Sequence, residues 1–380
     1  MKLYRKEGMV AERPHLNLPK GTFEEEIGLE GFFGPVSHLY AKHPPTSWSS
    51  IKRAAFQWPV KDETKEDFLK PQCYRKAEGK ISGDFFESGR TLFWNSDIAV
   101  HLHLVTQSNS AFFRNADASD LLFCHEGSFE LESPFGVLKA KKGDYVMVPK
   151  GVTWRLHTKG TYLLRLENFA STYKKPETGI LGQQALFHEE GLQTPAFIAD
   201  RKSSPSSTVR VQKDGVLTEI EYPHDICDLA GWCGTLYPYV LPISQIAPVL
   251  SSIAHLPPSI NATFVTNQFI VCTFLPRPLE EPEGALKVPF YHSNIDYDEV
   301  IFYHEGDFFS RDNMGAGFIS LHPRGINHGP HPKALANQGS KKRTDEVAVM
   351  VDTVKPLKVT SFARGLELGD YWKSWITAGK

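Results

Sequence analysis

The 380-residue chain carries 42 Lys and Arg against 44 Asp and Glu, a formal net charge of −2, and 41% of its residues are hydrophobic. That balance excludes a broad electrostatic grip on nucleic acid or an anionic membrane, and the length allows two or three domains of ordinary size. No apolar run approaches the ~18 residues that span a bilayer, and MKLYRKEGMVAERPHLNLPKG has no apolar segment after its basic residues, which argues against a signal peptide.

Residues 1–50 are rich in Pro, Gly and His and read as a wrap of loops and short strands. From about 90 to 170 the text is strand-like: TLFWNSDIAVHLHLV, DLLFCHEGSFELESPFGVLKA and DYVMVPKGVTWRLH, with SPFG as a hairpin turn. Residues 171–222 read as a less regular connection, with 201–208 an exposed loop. The stretch 241–256 is a candidate short helix interrupted near Pro248. A second strand-rich region starts near 262, and GDYWKSWITAGK is a candidate terminal helix. The expected fold is mainly β, divided into 1–222 and 223–380. Five cysteines (Cys73, Cys124, Cys227, Cys233 and Cys272), with no CxxC pair, are expected to be free thiols of a cytoplasmic protein.

The two strand-rich regions repeat one another. Asp117–Gly127 (DASDLLFCHEG) aligns with Asp296–Gly306 (DYDEVIFYHEG), and Gly143–Gly151 aligns with Gly317–Gly325. Two blocks in the same order are a strong sign of duplication. The shared Gly, Pro, His125 and His304 are expected to serve the fold. The second copy adds His292, Glu299 and His328, where the first has Phe113, Asp120 and Trp154.

Two imidazoles and a carboxylate can occupy one face of an octahedral metal and leave the other open, as in non-haem Fe(II) oxygenases. On a strand alternate residues share a face, so the seven-residue gap from His292 to Glu299 demands a turn, which 295–298 can supply. Asp298 is the rival carboxylate. His322 and His331 flank His328 and could orient a ligand or hold a substrate oxygen, and His331 reads equally as a surface loop residue. His101 and His103 alternate on a strand in a metal-like way, but lack nearby partners.

The spacing His292, Asn294, Glu299, Gly306 followed by Gly317, Pro323, Gly325, His328 resembles the two cupin motifs. It implies a bicupin with a degenerate first barrel and a metal-binding second one. The resemblance is closer still: YHSN, LHPRGINHGP, EVAVMVDTVKPLKVT, GDYWKSW, WCGTLYPYVLP and PVSHLYAKHPPTSW together resemble the homogentisate 1,2-dioxygenase family. That likeness implies Fe(2+) as cofactor, held by His292, Glu299 and His328, with His322 touching the substrate. It implies a small aromatic substrate and O2 as partners, and a trimer or hexamer of identical chains.

Two positions depart from the family. Its upstream WHGN, whose His serves the substrate phenol, reads Trp232-Cys233-Gly234-Thr235 here, which makes Cys233 the candidate in that role or, equally, a small core residue. Its His-Tyr pair after the glutamate is replaced around Phe308. His224 is a further candidate base. The activity expected is ring cleavage of homogentisate or a related aromatic diol. The alternatives are a divergent cupin with another substrate (another phenol dioxygenase, or a metal-dependent isomerase) and a non-catalytic binding bicupin. Metal content separates metal-free binding from the others, and dioxygen uptake separates oxygenase from isomerase.

Overall fold

The computed structural model describes residues 4–56, 58–79, 81–174, 191–199, 201–287, 290–308, 314–337 and 341–378. It is mainly β and is organised as two cupin barrels with a small N-terminal sheet. The first barrel is built from the strands between Arg90 and Asn168. Its long central strand, Ser119–Ser133, pairs with Thr161–Asn168 on one side and with Asp144–Val148 and Thr153–His157 on the other. The SPFG turn falls where expected, joining Ser119–Ser133 to Gly136–Lys141. The second barrel orders Ala262–Val265, Phe269–Phe274, Val347–Thr353, Asp298–Glu305 and Ile319–His322.

The strands do not separate at 222/223. Leu229–Gly234 lies between Arg5–Gly8 and Val36–Ala41 in the N-terminal sheet, and Tyr239–Pro242 pairs with Asp144–Val148 of the first barrel. Gln72–Tyr74 adds to the edge of the second barrel, while Lys358–Val359 adds to the first. The connection expected to be irregular contains a hairpin, Ser207–Lys213 with Val216–Tyr222, so the expected exposed loop at 201–208 ends in a strand. The candidate helix at 241–256 reduces to one 3-10 turn, Ile243–Gln245, because Pro242 and Pro248 remove backbone donors on either side. The terminal helix is present at Lys373–Ala378.

The barrels pack against each other through strands apolar on both faces. In Ile98–Val105 (IAVHLHLV) seven of eight residues are buried, the pattern of a strand covered on two sides. One core runs through both barrels, joining Phe123, Tyr145 and Leu164 to Phe264, Phe302 and Val349. The repeat is visible here as a pseudo-twofold: Phe123 packs on His304 (ring centroids 4.8 Å), His125 packs on Phe302 (4.9 Å), and the Nδ1 atoms of His125 and His304 lie 2.8 Å apart. One of these imidazoles must donate and the other accept. Their presence in both copies thus reflects an inter-barrel contact. The following glycines are equally structural. Gly127 and Gly306 have φ of +77° and +99°, and a Cβ on either would strike a backbone carbonyl, of Gly160 or of Asp345. All five cysteines are free and buried.

Candidate metal centre

His292 and His328 face one another through two backbone hydrogen bonds, each amide donating to the other's carbonyl at 2.9 Å. A bend at 295–296 returns the chain so that Glu299, on the strand Asp298–Glu305, points at the pair. Nδ1 of His292 lies 2.8 Å from the carbonyl of Phe290, and Nδ1 of His328 lies 3.2 Å from that of Ile326. A carbonyl can only accept, so both Nδ1 atoms are protonated and each imidazole offers Nε2 as its basic atom. Nε2 of His328 is 3.7 Å from Glu299 Oε2. One ligand atom from each of the three residues lies within 4.8 Å of the others. Two neutral imidazoles with oriented tautomers and one buried carboxylate are a chemically complete donor set for a divalent transition metal.

His322 stands beside this group. Its Nδ1 is 2.6 Å from Glu299 Oε1, and its ring stacks on His328 with centroids 4.8 Å apart. Burial would push the Glu299 carboxyl up, but the hydrogen bond from His322, with the His328 imidazole close by, holds it well below the usual range, so it remains anionic. Asp298 faces the other way. Its two oxygens accept the backbone amides of Arg324 (3.0 Å) and Leu357 (2.8 Å), which occupies it in fixing loops rather than in reaching the site. His331 is buried and not on the surface. It packs on Trp375 and sits 3.3 Å from the carbonyl of Ser374 in the terminal helix.

A pocket adjoins His292 and Glu299. Its walls include Leu256, Ile260, Phe274, Ile301 and Met350, with Arg277 and Lys287 balanced by Glu280 and Glu346.

The structure does not bring Cys233 to this group. Cys233 lies in Leu229–Gly234 of the N-terminal sheet, packed with Ala11, Tyr40 and Ala230, with its sulfur 3.9 Å from the Tyr40 hydroxyl. His224 likewise lies elsewhere, stacked on His43. Phe308 is buried against Tyr303.

The equivalent place in the first barrel is filled. Phe113 and Trp154 pair across strands as His292 and His328 do, with ring centroids 5.6 Å apart. Sequence reasoning overlooked Arg165. Its guanidinium meets Asp120 at 2.8 Å and Glu167 at 3.1 Å, and lies 5.0 Å from the Trp58 ring. His101 and Lys61 complete the cluster, at 3.1 and 3.3 Å from Glu167. His101, which looked metal-like in sequence, is a member of this ion network. His103 instead sits 3.0 Å from the Phe85 carbonyl. Asp352 was overlooked as well. It stands directly opposite Glu299, as Glu167 stands opposite Asp120, and burial together with Glu299 pushes its carboxyl well above the usual range. The acidic residue shared by RLEN and MVDT was the signal.

The family described as Homogentisate 1,2-dioxygenase N-terminal matches residues 80–243. A protein of Saccharolobus solfataricus named "Putative dioxygenase" is 30% identical, with all of each chain aligned. Homogentisate 1,2-dioxygenases of Rhodopseudomonas palustris and Nitrobacter hamburgensis are 27% and 26% identical, each over 77% of this chain and 70% of theirs. Among solved structures, a cupin 2 conserved barrel domain protein from Leptotrichia buccalis aligns with 70% of this chain and 89% of its own, at 8% identity and a TM-score of 0.33. The chain belongs to the homogentisate 1,2-dioxygenase family, as a divergent dioxygenase-like member.

Proposed function

We propose that this protein is an Fe(II)-dependent ring-cleaving dioxygenase that inserts both atoms of O2 into homogentisate or a related aromatic diol. The observation that carries the reading is the convergence of one ligand atom each from His292, His328 and Glu299 within 4.8 Å beside the pocket, with Nδ1 of each imidazole turned to a backbone carbonyl. His292, Glu299 and His328 would hold the iron, which when bound supplies a redox-active centre with open positions for substrate and dioxygen.

The chain's own residues do the rest. The apolar wall from Leu256 to Met350 receives the ring and excludes water, which strengthens every charge interaction inside. Arg277 and Lys287 attract a carboxylate substituent. Arg277 is partly neutralised by Glu280 at 3.3 Å, so its share of the attraction is reduced. His322 acts as a positioning residue for Glu299, donating its Nδ1 proton to Oε1. A diol bound here must surrender its phenolic proton to a group other than Cys233, which lies on a different sheet.

The test is anaerobic Fe(II) loading followed by dioxygen uptake with homogentisate, gentisate and hydroquinone. The expected result is one O2 consumed per substrate, with loss of the ring's ultraviolet absorbance, for at least one of the three. Iron-bearing protein that consumes no dioxygen with any of them would overturn the proposal.

A further inference from the structure

We propose that the N-terminal sheet carries a second, independent divalent-metal site of the zinc class, built by His15, Glu24 and His38. The strand Phe23–Gly28 runs antiparallel to Val36–Ala41 with Glu26 opposite His38 and Glu24 opposite Tyr40. Alternate residues share a face, so Glu24, Glu26 and His38 project from one side of the sheet. His15 arrives over the same face from the preceding loop. Its Nδ1 lies 3.0 Å from Glu24 Oε2, and the other carboxylate oxygen, Oε1, lies 3.1 Å from His38 Nδ1. Ligand atoms of all three fall within 4.8 Å of one another. Neighbouring ligands on a tetrahedral zinc with bonds of about 2.1 Å stand roughly 3.4 Å apart, near two of these separations.

The decisive observation concerns the buried pair. His38 is 7% exposed and the Glu24 side chain 6% exposed. Glu24 Oε1 and His38 Nδ1 are buried and adjacent, yet neither has a hydrogen-bond partner among the described residues, not even the other. Leaving two such atoms unsatisfied costs free energy that native structures avoid. A cation held between the two atoms would satisfy both. Glu24 Oε2 accepts the backbone amide of His15 at 2.9 Å, which orients the carboxylate. Behind His15, Glu26 Oε2 lies 2.8 Å from Nε2. A carboxylate on the far nitrogen fixes the tautomer that presents Nδ1 to a metal. His15 is largely exposed, so its ring can close on the ion and leave the fourth position to solvent. Bound metal would pin the His15 loop to the sheet, a bracing role distinct from chemistry in the second barrel.

Zinc binding to the full chain, as zinc chloride alone, tests this. In the His328→Ala variant, which lacks the other metal centre, one zinc per chain is expected. Adding Glu24→Gln or His38→Asn should weaken it at least 100-fold, and adding Glu26→Gln about 10-fold. Cobalt(II) in place of zinc should give visible d–d absorption that the same two changes abolish. Wild-type chain provides the independent arm, with two metal equivalents falling to one in His38→Asn while the iron content of the second barrel is unchanged. Absence of zinc binding in His328→Ala, together with a single equivalent in the wild type that Glu24→Gln and His38→Asn leave untouched, would overturn the proposal.

Discussion

The two barrels solve one electrostatic problem in opposite ways. Each places an acidic residue on its central strand (Asp120 or Glu299), directly opposite a second on the next strand (Glu167 or Asp352). Two buried carboxyls so close cannot both be ionised without a cation. The first barrel supplies the cation covalently. At the register position where the second has Met350, it has Arg165, and aromatic rings fill the remaining space. The second barrel supplies no internal cation there. It has two imidazoles beside a pocket, and burial together with Glu299 pushes the Asp352 carboxyl up. The first barrel neutralises its acidic pair with a side chain, and under the proposed function the second would use an ion.

The largest effect should come from disarming the second barrel. His328→Ala or His292→Ala is expected to reduce retained iron from one per chain to near none and to bring turnover to background, measured by metal analysis and oxygen uptake. Trp154→Ala, at the matching place in the first barrel, should instead cost about 3–5 kcal/mol of stability with iron retained. The next test breaks the internal cation. Arg165→Met copies the second barrel's residue into the first and strands Asp120 and Glu167, which should cost about 3–5 kcal/mol in a denaturant titration.

The contact between barrels should carry the pH dependence. Burial lowers His125 to about 3 and His304 to about 4, and it lowers His101 of the ion network to about 4. Below the ordinary histidine value of ~6.5 the unfolded chain therefore binds protons that the folded chain refuses. Stability should be fully present above that value and fall as pH drops from ~6.5 toward about 4. His125→Asn should flatten the slope, read as thermal midpoint against pH. A smaller effect separates adjacent carboxylates. Asp298→Ala should cost about 1–3 kcal/mol through its two lost amide partners and leave iron bound, whereas Glu299→Ala should release iron. Smallest of all, Cys233→Ala should change turnover less than about twofold.

Much of this organisation was legible because the chain is duplicated. The repeat supplied its own control: Phe113 and Trp154 align with His292 and His328, and the structure pairs each couple in the same way. Three things were not legible. Arg165 stands in TYLLRLEN, a text that reads as a plain buried strand, and only the register that puts Glu167 opposite Asp120 reveals an ion network. Cys233 was assigned by analogy with a motif, and sequence alone does not say on which sheet a residue lands after tertiary pairing. The division at 222/223 followed the repeat, whereas strands exchanged at the edges follow pairing energetics that single-sequence periodicity does not encode.

The central claim is that one barrel alone is armed, and anomalous diffraction at the iron edge on Fe(II)-loaded crystals tests it most directly. The account predicts a peak bounded by His292, Glu299 and His328, with none among Phe113, Asp120 and Trp154. A peak in the first barrel, or no peak at the three second-barrel residues in protein shown to contain iron, would contradict it.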